Sequence, residues 1–404
     1  MFLDNNRVFE LLEKYGSPLY VYDEKILRQC CKDMHDLIPE QNLRVSYSVK
    51  ANTNLEILKI ALDEDLDADA MSPGEIYLEK LAGFPSNRIL YMGNNVSPEE
   101  MQYAIDAGAT VSVDSLSQLE TYGQLNPGGE VCVRFNPGVG AGHHEKVITG
   151  GKRTKFGVQK EFVPEVKEIL KKYDLKLVGI NQHIGSLFME PTPYVAGVKS
   201  LLEIAAQFPG LKFVDMGGGF GVPYHEGEGR LDLKETGRQL NEVISEFLKD
   251  YDNKDIVFKI EPGRYIACEC SLLLGKVYSV KENYEKTYVG TDLGFNVLMR
   301  PVMYDSYHAV EIVKKDNVDA PTEIATIVGN ICESGDIIAK DREVKKAEIG
   351  DACVIGNAGA YGYSMASNYN CRLRPAEVLI DMDGNDRLIR RRDTFEDLVR
   401  GFNT

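Results

Sequence analysis

The sequence has 404 residues, of which 43% are hydrophobic and 27% charged, so it is long enough for a barrel-sized domain and a smaller second domain. Its net charge of -16 argues against nucleic acid or an anionic membrane surface as a partner. The N-terminus lacks a basic segment followed by an apolar one, and no 18 apolar residues run together, so we expect a cytoplasmic protein.

The cysteine and histidine patterns argue against a metal site. None of the eight cysteines forms a CxxC pair, and the six histidines form no ligand pattern with them, so we expect reduced thiols and no metal. His143, His144 and Glu145 are neighbours on a loop, where adjacent side chains rarely converge on one ion. We interpret them as part of a solvated loop.

Short runs rich in β-branched residues alternate with amphipathic stretches in the first two thirds of the chain. The predicted strands are 43–50, 67–72, 88–93, 110–114, 130–136, 177–184, 213–217 and 256–261. Helical patterns lie between them, at 97–107, 115–125, 164–173, 193–208 and 233–250. Eight such units predict an α/β fold, a (β/α)8 TIM-like barrel over residues 28–270. A doubly wound sheet is the alternative, but no glycine fingerprint follows the first strand.

A second, mainly β domain is predicted from about residue 271 onward. The β-like runs there are 272–280, 286–291, 323–328, 352–355 and 376–380, with little helical pattern between them. Residues 18–23 are also strand-like and precede the first barrel unit, so we assign 1–27 together with 271–404 to this domain. Within the barrel sequence, the Gly-rich segment 137–154 is typical of a ligand or interface loop.

Lys50 stands where the first barrel strand gives way to Ala-Asn-Thr-Asn. A desolvated lysine amine loses the proton that blocks attack and forms a Schiff base with a carbonyl, which is how proteins hold pyridoxal phosphate. An isolated lysine at such a place is usually a solvated charge. The polar residues at the other strand ends therefore decide the interpretation, because a barrel's active site lies where its strands end.

Those strand ends combine an anion cradle with groups suited to an aromatic cofactor. Gly217, Gly218 and Gly219 let backbone N–H groups approach a phosphate, although a flexible turn is the simpler reading of such a triplet. Arg264 pairs well with a phosphate, and Ser186 supplies another donor. Glu261 is either the ion partner of this arginine or the carboxylate that keeps a pyridine nitrogen protonated. His183 is either a core residue or a ring that stacks on the cofactor. Asp69 lies at the end of the second strand.

Six motifs, in this order, resemble those of the fold-type III pyridoxal-phosphate decarboxylases of basic amino acids, whose fold is alanine racemase-like. The motifs are Tyr47–Asn52, His183–Ser186, Gly217–Gly219, Glu261–Tyr265, Cys332–Asp336 and Gly359–Gly362. Segments 292–296, 300–301, 359–370 and 374–378, together with Tyr304, are most similar to the branch of that family that acts on diaminopimelate. The resemblance covers about residues 17–380, nearly the whole chain.

The resemblance implies a pyridoxal 5'-phosphate enzyme that works as a homodimer with shared active sites. The implied cofactor-binding residues are Lys50, Asp69, His183, Ser186, Gly217, Gly218, Gly219, Glu261, Gly263, Arg264 and Tyr361. The implied catalytic residues are Lys50 and Cys332, the latter returning a proton to the substrate carbon in the partner's site. A thiol beside the acidic Glu333 is suited to act as an acid.

The resemblance further implies decarboxylation of meso-2,6-diaminopimelate to L-lysine. The implied substrate-binding residues are Arg264, Arg300, Tyr304, Glu333 and Tyr361. Two arginines and a glutamate suit a substrate with an amino acid at both ends. Alternatives are a related decarboxylase acting on carboxynorspermidine, D-ornithine, D-lysine or a siderophore precursor, and a non-catalytic regulator of a decarboxylase. An alanine-racemase-like role fits less well, because the cysteine motif is present.

Overall fold

The computed structural model describes residues 1–138, 141–142, 151, 154–315 and 319–403. The chain divides into two compact units. The barrel unit consists of Arg28–Val222 and Gly229–Ile266, and the β unit consists of Met1–Leu27, Pro223–Glu228 and Ala267–Thr404. Most of the predicted Gly-rich loop, together with His143, His144 and Glu145, lies outside the described residues.

The strands are numbered in chain order. They are β1 (Leu19–Asp23), β2 (Leu43–Ser48), β3 (Asp67–Ala70), β4 (Ile89–Tyr91), β5 (Thr110–Val113), β6 (Glu130–Asn136), β7 (Ala141–Gly142), β8 (Val158–Gln159), β9 (Lys176–Asn181), β10 (Gly185–Ser186), β11 (Phe213–Asp215), β12 (Val257–Ile260), β13 (Ser271–Asn283), β14 (Lys286–Thr291), β15 (Val310–Val313), β16 (Thr322–Val328), β17 (Ile337–Lys345), β18 (Ala352–Ile355), β19 (Ala376–Ile380) and β20 (Asp386–Arg390).

The helices are numbered in the same way. They are α1 (Asn5–Tyr15), α2 (Glu24–His35), α3 (Leu55–Asp63), α4 (Pro73–Ala82), α5 (Pro98–Asp106), α6 (Leu116–Leu125), α7 (Val163–Lys172), α8 (Pro191–Ala205), α9 (Leu233–Asp250), α10 (Arg264–Ala267), α11 (Arg300–Tyr304) and α12 (Phe395–Val399).

Among the described residues of the barrel unit, eight parallel strands close into a barrel. Their order is β2, β3, β4, β5, β6, β9, β11 and β12, and β12 pairs again with β2. These are the eight strands expected from the sequence, so the (β/α)8 barrel is confirmed and the doubly wound sheet is wrong. Parallel strands covered by helices are buried on both faces, which explains their apolar sequences.

Serine caps begin three of the barrel helices where the sequence pattern changes from strand to helix. Ser72, Ser97 and Ser115 precede α4, α5 and α6, and each side chain accepts a hydrogen bond from the backbone N–H three residues ahead. Each such cap stabilises its helix by about 1 kcal/mol. The strand-to-helix turns of the barrel are therefore encoded locally.

The β unit contains a nine-stranded sheet within the described residues. The main path runs β17, β16, β14, β13, β1, β19 and β20, and β18 connects β13 with β15. β1 lies antiparallel to β13 and parallel to β19, so the N-terminal strand pairs with strands from the last third of the chain. Helix α1 packs on this sheet, where Val8, Leu11 and Leu12 join the buried core.

Several elements differ from the sequence prediction. The first, sixth and seventh barrel strands end earlier than predicted, at Ser48, Asn181 and Asp215, so Lys50, His183 and Gly217 lie on the turns that follow. The sequence also missed α1, β15, β17 and β20. β17 carries Lys-Asp-Arg-Glu at its centre and pairs with β16 through two register irregularities, which hides the alternation expected of a strand.

Within the described residues, no helix combines the length and the apolar character needed to cross a membrane. Those residues also contain no group of three or more His, Cys, Asp and Glu side chains arranged to hold a metal ion.

Candidate active site

Lys50 lies in a single 3-10 turn, Val49–Ala51, directly after β2. Burial is the largest influence on the pKa values of Asp69, Glu261 and His183. The positive charge of Lys50 opposes the rise that burial causes in Asp69 and Glu261, and it adds to the lowering in His183. The interaction between two charges weakens as the distance between them grows. Four residues from four different strand ends therefore lie within electrostatic range of one another in the barrel unit.

Asp69 is fully buried at the end of β3. Its Oδ2 accepts a hydrogen bond from the Ser48 hydroxyl at 2.6 Å, whereas its Oδ1 has no partner among the described residues. Burial raises the pKa of Asp69 to about 7, although the charge of Lys50 opposes this shift.

Glu261 follows β12 and is 3% exposed. Its side chain contacts the Asp215 carboxyl, and no donor group of the described residues bonds its Oε1. Burial raises the pKa of Glu261 well above its ordinary value, and the charges of Asp215 and Asp69 add to the effect. An orphaned oxygen in a buried carboxyl is costly unless something else bonds it. A ring nitrogen is the kind of group that satisfies it.

The glycine turn, Gly217–Gly219, has no space for side chains. A Cβ on Gly217 would lie 2.2 Å from the Gln182 carbonyl oxygen, and a Cβ on Gly218 would lie 2.0 Å from that of Glu261. Gly217 and Gly219 also adopt positive φ angles of +75° and +111°. Only glycine fits this turn, so an anion can approach its backbone without meeting a side chain.

Arg264 begins α10 beside this turn and is 5% exposed. It donates to the Ser186 hydroxyl from Nε at 3.3 Å and from Nη2 at 3.0 Å. A fixed guanidinium next to a glycine-lined backbone suits a phosphate group. Gly263 is equally constrained, because a Cβ there would lie 2.8 Å from the Cβ of Ser48.

His183 accepts a hydrogen bond at Nδ1 from the Gly218 backbone N–H at 3.3 Å. Burial lowers the pKa of His183 well below its ordinary value, and the charges of Lys50 and Arg134 lower it further. The ring is therefore neutral and is tied to the glycine turn. A neutral flat ring in this place is suited to lie against an aromatic cofactor.

Sequence reasoning missed two supports of this site. Asp215, the last residue of β11, accepts from the Gly217 backbone N–H at 2.9 Å, and burial raises its pKa. The hydroxyl of Tyr194 donates to the Gly217 carbonyl oxygen at 2.9 Å, and its ring stacks on Phe188. The position of Asp215 at a strand end was the available signal for the first support, whereas Tyr194 lies inside a helix and gave none.

The remaining predicted residues, Arg300, Tyr304, Cys332, Glu333 and Tyr361, lie in the β unit. Cys332 is exposed, and Asn370 contacts it twice. The Cys332 backbone N–H donates to Oδ1 of Asn370 at 3.1 Å, and Nδ2 of Asn370 donates to Sγ at 3.2 Å. The Tyr369 hydroxyl donates to the Glu333 carboxylate at 2.6 Å.

Comparison with known proteins gives the family. The model "Pyridoxal-dependent decarboxylase, pyridoxal binding domain" matches residues 24–268. A diaminopimelate decarboxylase from Methanothermobacter thermautotrophicus is 43% identical over 402 residues, which are 98% of this chain and 93% of that protein. One from Archaeoglobus fulgidus is 38% identical, over 97% of this chain and 94% of that protein. The chain belongs to the diaminopimelate decarboxylase family.

Solved structures of diaminopimelate decarboxylases have the same fold. The Helicobacter pylori enzyme in complex with L-lysine superposes with a TM-score of 0.89 at 31% identity, covering 97% of this chain and 98% of that one. The M. jannaschii enzyme in co-complex with L-lysine gives 0.90 at 33% identity, covering 98% and 94%. The predicted fold type, the pyridoxal-phosphate cofactor and the diaminopimelate decarboxylase function are thereby confirmed.

The barrel unit of this chain fits the cofactor. The glycine turn with Arg264 and Ser186 suits a phosphate, and the orphaned Glu261 oxygen suits a ring nitrogen. The charge of Lys50 influences the pKa values of the Asp69 and Glu261 carboxyls.

Proposed function

We propose that this chain decarboxylates meso-diaminopimelate to L-lysine, with Lys50 and Glu261 as cofactor-binding residues and Cys332 as the acid. The observation that carries the assignment is the buried Glu261 carboxyl, whose Oε1 has no partner in the described structure, next to a turn that admits only glycine. Bound pyridoxal phosphate supplies an aromatic ring that withdraws the electrons of the breaking bond between Cα and the carboxylate.

In this proposal the barrel unit holds the cofactor. Lys50 would bind the aldehyde carbon, and the glycine turn, Ser186 and Arg264 would bind the phosphate. As the family resemblance implies, Tyr361 of the β unit would also bind the phosphate. Glu261 keeps a proton at the pyridine nitrogen, because the carboxylate and the protonated ring form an ion pair. His183 lies against the ring face, and Asp69 places a carboxyl beside the lysine. Gly263 has no side chain, and a Cβ at this position would collide with Ser48.

The β unit supplies substrate recognition and the acid. Arg300 and Tyr304, together with Arg264, bind the carboxylate that is not removed, and Glu333 binds the distal ammonium. Cys332 donates the proton that replaces carbon dioxide on the substrate carbon. We propose that Cys332 acts in the partner's site of a homodimer, as the family resemblance implies, and that the enzyme is cytoplasmic.

Substrate identity is tested by carbon dioxide release. The purified protein with pyridoxal phosphate is given meso-diaminopimelate, ornithine, lysine or carboxynorspermidine separately. We expect fast release from diaminopimelate only, because it alone presents an amino acid at both ends. Faster release from any of the other three would refute the substrate assignment.

The acid is tested by comparing the two exposed cysteines, Cys332 and Cys371. Cys332→Ala should keep the visible absorbance of the bound cofactor and lower kcat by about 10²-fold or more, because general acid catalysis contributes that much. Cys371→Ala is the matched control and should keep kcat within about twofold. A normal kcat in Cys332→Ala would remove Cys332 as the acid.

A further inference from the structure

Arg300 is a nearly buried cation with fixed partners. It begins α11 and is 2% exposed. Its Nε donates to Nε2 of His308 at 3.3 Å, and its Nη2 donates to the Ser306 hydroxyl at 3.2 Å. The ring of Tyr224 also lies nearby, with its centroid 5.4 Å from the guanidinium carbon. His308, Ser306 and Tyr224 therefore each contact this guanidinium.

The contacts of His308 define its tautomer. The residue is 1% exposed, and its Nδ1 lies 3.0 Å from the Gly356 carbonyl oxygen. A carbonyl oxygen only accepts, so Nδ1 carries the hydrogen and donates it. Nε2 then has the lone pair that accepts the Nε–H of Arg300. His308 is thus a neutral bridge between the backbone and the guanidinium.

Tyr224 anchors the other side of this arrangement. Its ring meets that of His308 edge to face, with centroids 5.4 Å apart and planes at 86°. Its hydroxyl lies 3.1 Å from Sγ of Cys268. Tyr224 comes from Pro223–Glu228, a segment embedded in the barrel sequence that folds with the β unit. Residues distant in sequence therefore restrict the positions of both His308 and Arg300.

The chemistry of these acceptors fits the binding of an anion. An imidazole and a hydroxyl are neutral acceptors, so these two contacts orient the guanidinium without placing a negative charge beside it. A buried arginine whose direction is fixed binds a carboxylate with little loss of side-chain entropy. Loss of either acceptor leaves a buried N–H group without that partner and frees the side chain to rotate.

We propose that His308, together with Ser306, is a positioning residue that aims Arg300 at the carboxylate the substrate retains. This inference rests on the proposed role of Arg300. His308 itself does not touch the substrate. It determines affinity for ligands that carry a carboxylate at that end, and it does not affect the binding of an amine that lacks one.

The test uses two ligands that differ only in this carboxylate. L-lysine, the product, retains it, and cadaverine does not. Each is titrated into the holoenzyme, and the dissociation constant is obtained from the change in the visible spectrum of the bound cofactor. The variants are His308→Asn, His308→Gln and Ser306→Ala. Asn preserves a donor near Nδ1 and loses the acceptor near Nε2, whereas the longer Gln places an amide oxygen near Nε2.

We expect His308→Asn to weaken L-lysine binding by about tenfold, Ser306→Ala by about threefold, and His308→Gln by less than His308→Asn. Cadaverine affinity should stay within about twofold in each variant, because it has no carboxylate for Arg300. His225→Asn, a change at an exposed histidine of the same unit, is the control and should alter neither constant.

Two different results would contradict the inference. Unchanged L-lysine affinity in both His308→Asn and Ser306→Ala, while Arg300→Met loses it, would exclude positioning by these residues and leave the role of Arg300 intact. Unchanged L-lysine affinity in Arg300→Met would exclude the proposed function of Arg300 and the inference with it. Ser306 is only partly buried, so its variant tests the inference even if His308→Asn does not fold.

Discussion

Gly218 illustrates at the residue scale how a single carbon atom decides whether a site forms. A Cβ there would lie 2.0 Å from the Glu261 carbonyl oxygen, and backbone cannot move away as a flexible side chain can. The same position brings the backbone N–H to Nδ1 of His183. Gly218 therefore brings the glycine turn, Glu261 and His183 together in the proposed cofactor site.

We predict that Gly218→Ala lowers the free energy of unfolding by about 2 kcal/mol and weakens cofactor binding by about tenfold or more. The added methyl group must displace the Glu261 backbone. Urea denaturation and equilibrium titration with pyridoxal phosphate measure the two effects. Gly229→Ala is the control, because the described structure has no atom within 4 Å of a Cβ built there. Equal stability of the two variants would disprove this explanation.

Glu261 is the second residue whose role depends on one atom. Glu261→Gln retains size and burial but cannot hold a proton at a ring nitrogen as the carboxylate does. We expect kcat to fall by about 10²-fold while the cofactor remains bound. Steady-state kinetics and the visible spectrum of the purified variant report these two quantities. A kcat within twofold of the wild-type value would exclude the proposed pairing.

At the scale of elements, charged side chains join the strands at the end of the barrel opposite the site. Asp67, the first residue of β3, accepts from Arg44 of β2 at 2.7 Å, from Arg88 at 2.9 Å and from Lys259 of β12 at 3.1 Å. Its side chain is 6% exposed. Although burial opposes ionisation, Lys259 and Arg44 hold the pKa of Asp67 below its ordinary value of 3.8.

We predict that Asp67→Asn lowers the free energy of unfolding by about 3 kcal/mol at pH 7, because three cations lose a buried partner. Since the folded state holds this pKa low, the stabilisation is complete above about pH 4 and disappears as the pH falls through the folded pKa. The difference between wild type and variant should therefore shrink at pH 3.

Urea denaturation at both pH values measures this dependence. Asp63→Asn is the control, because Asp63 lies 3.7 Å from Arg28 with its side chain 65% exposed, and a surface pair of this kind contributes little. A difference that grows as the pH falls would contradict the assigned sign.

At the scale of the whole molecule, the two units divide the chemistry. The barrel unit contains the proposed cofactor residues except Tyr361, and the β unit contains Cys332 and the proposed substrate residues except Arg264. In a homodimer with shared sites, each complete site needs Lys50 from one subunit and Cys332 from the other.

This arrangement predicts complementation between inactive variants. Lys50→Ala and Cys332→Ala should each be nearly inactive, yet subunits mixed at equal amounts and allowed to exchange should recover about a quarter of wild-type activity. Random pairing makes half of the dimers heterodimers, each with one intact site. The specific activity of the mixture is measured against each variant alone. No recovery, despite subunit exchange shown by mass spectrometry, would exclude sharing of these residues.

The sequence by itself determined the barrel, because hydrophobic period and cap residues are local signals. Eight apolar runs became eight parallel strands, and α9 begins and ends where its pattern does. The motifs also pointed to Lys50, Glu261 and Arg264 in advance, since chemistry at strand ends stands out against apolar strand interiors.

Only the tertiary structure decided the features that depend on contacts between residues distant in the chain. The pairing of β1 between β13 and β19, the folding of Pro223–Glu228 with the β unit, and the contacts of Arg300 with His308 each join such residues. No local pattern encodes them, because burial and hydrogen-bond partners are set by packing rather than by neighbours in sequence. The sequence thus identified the chemical groups, and packing determined their orientation and protonation.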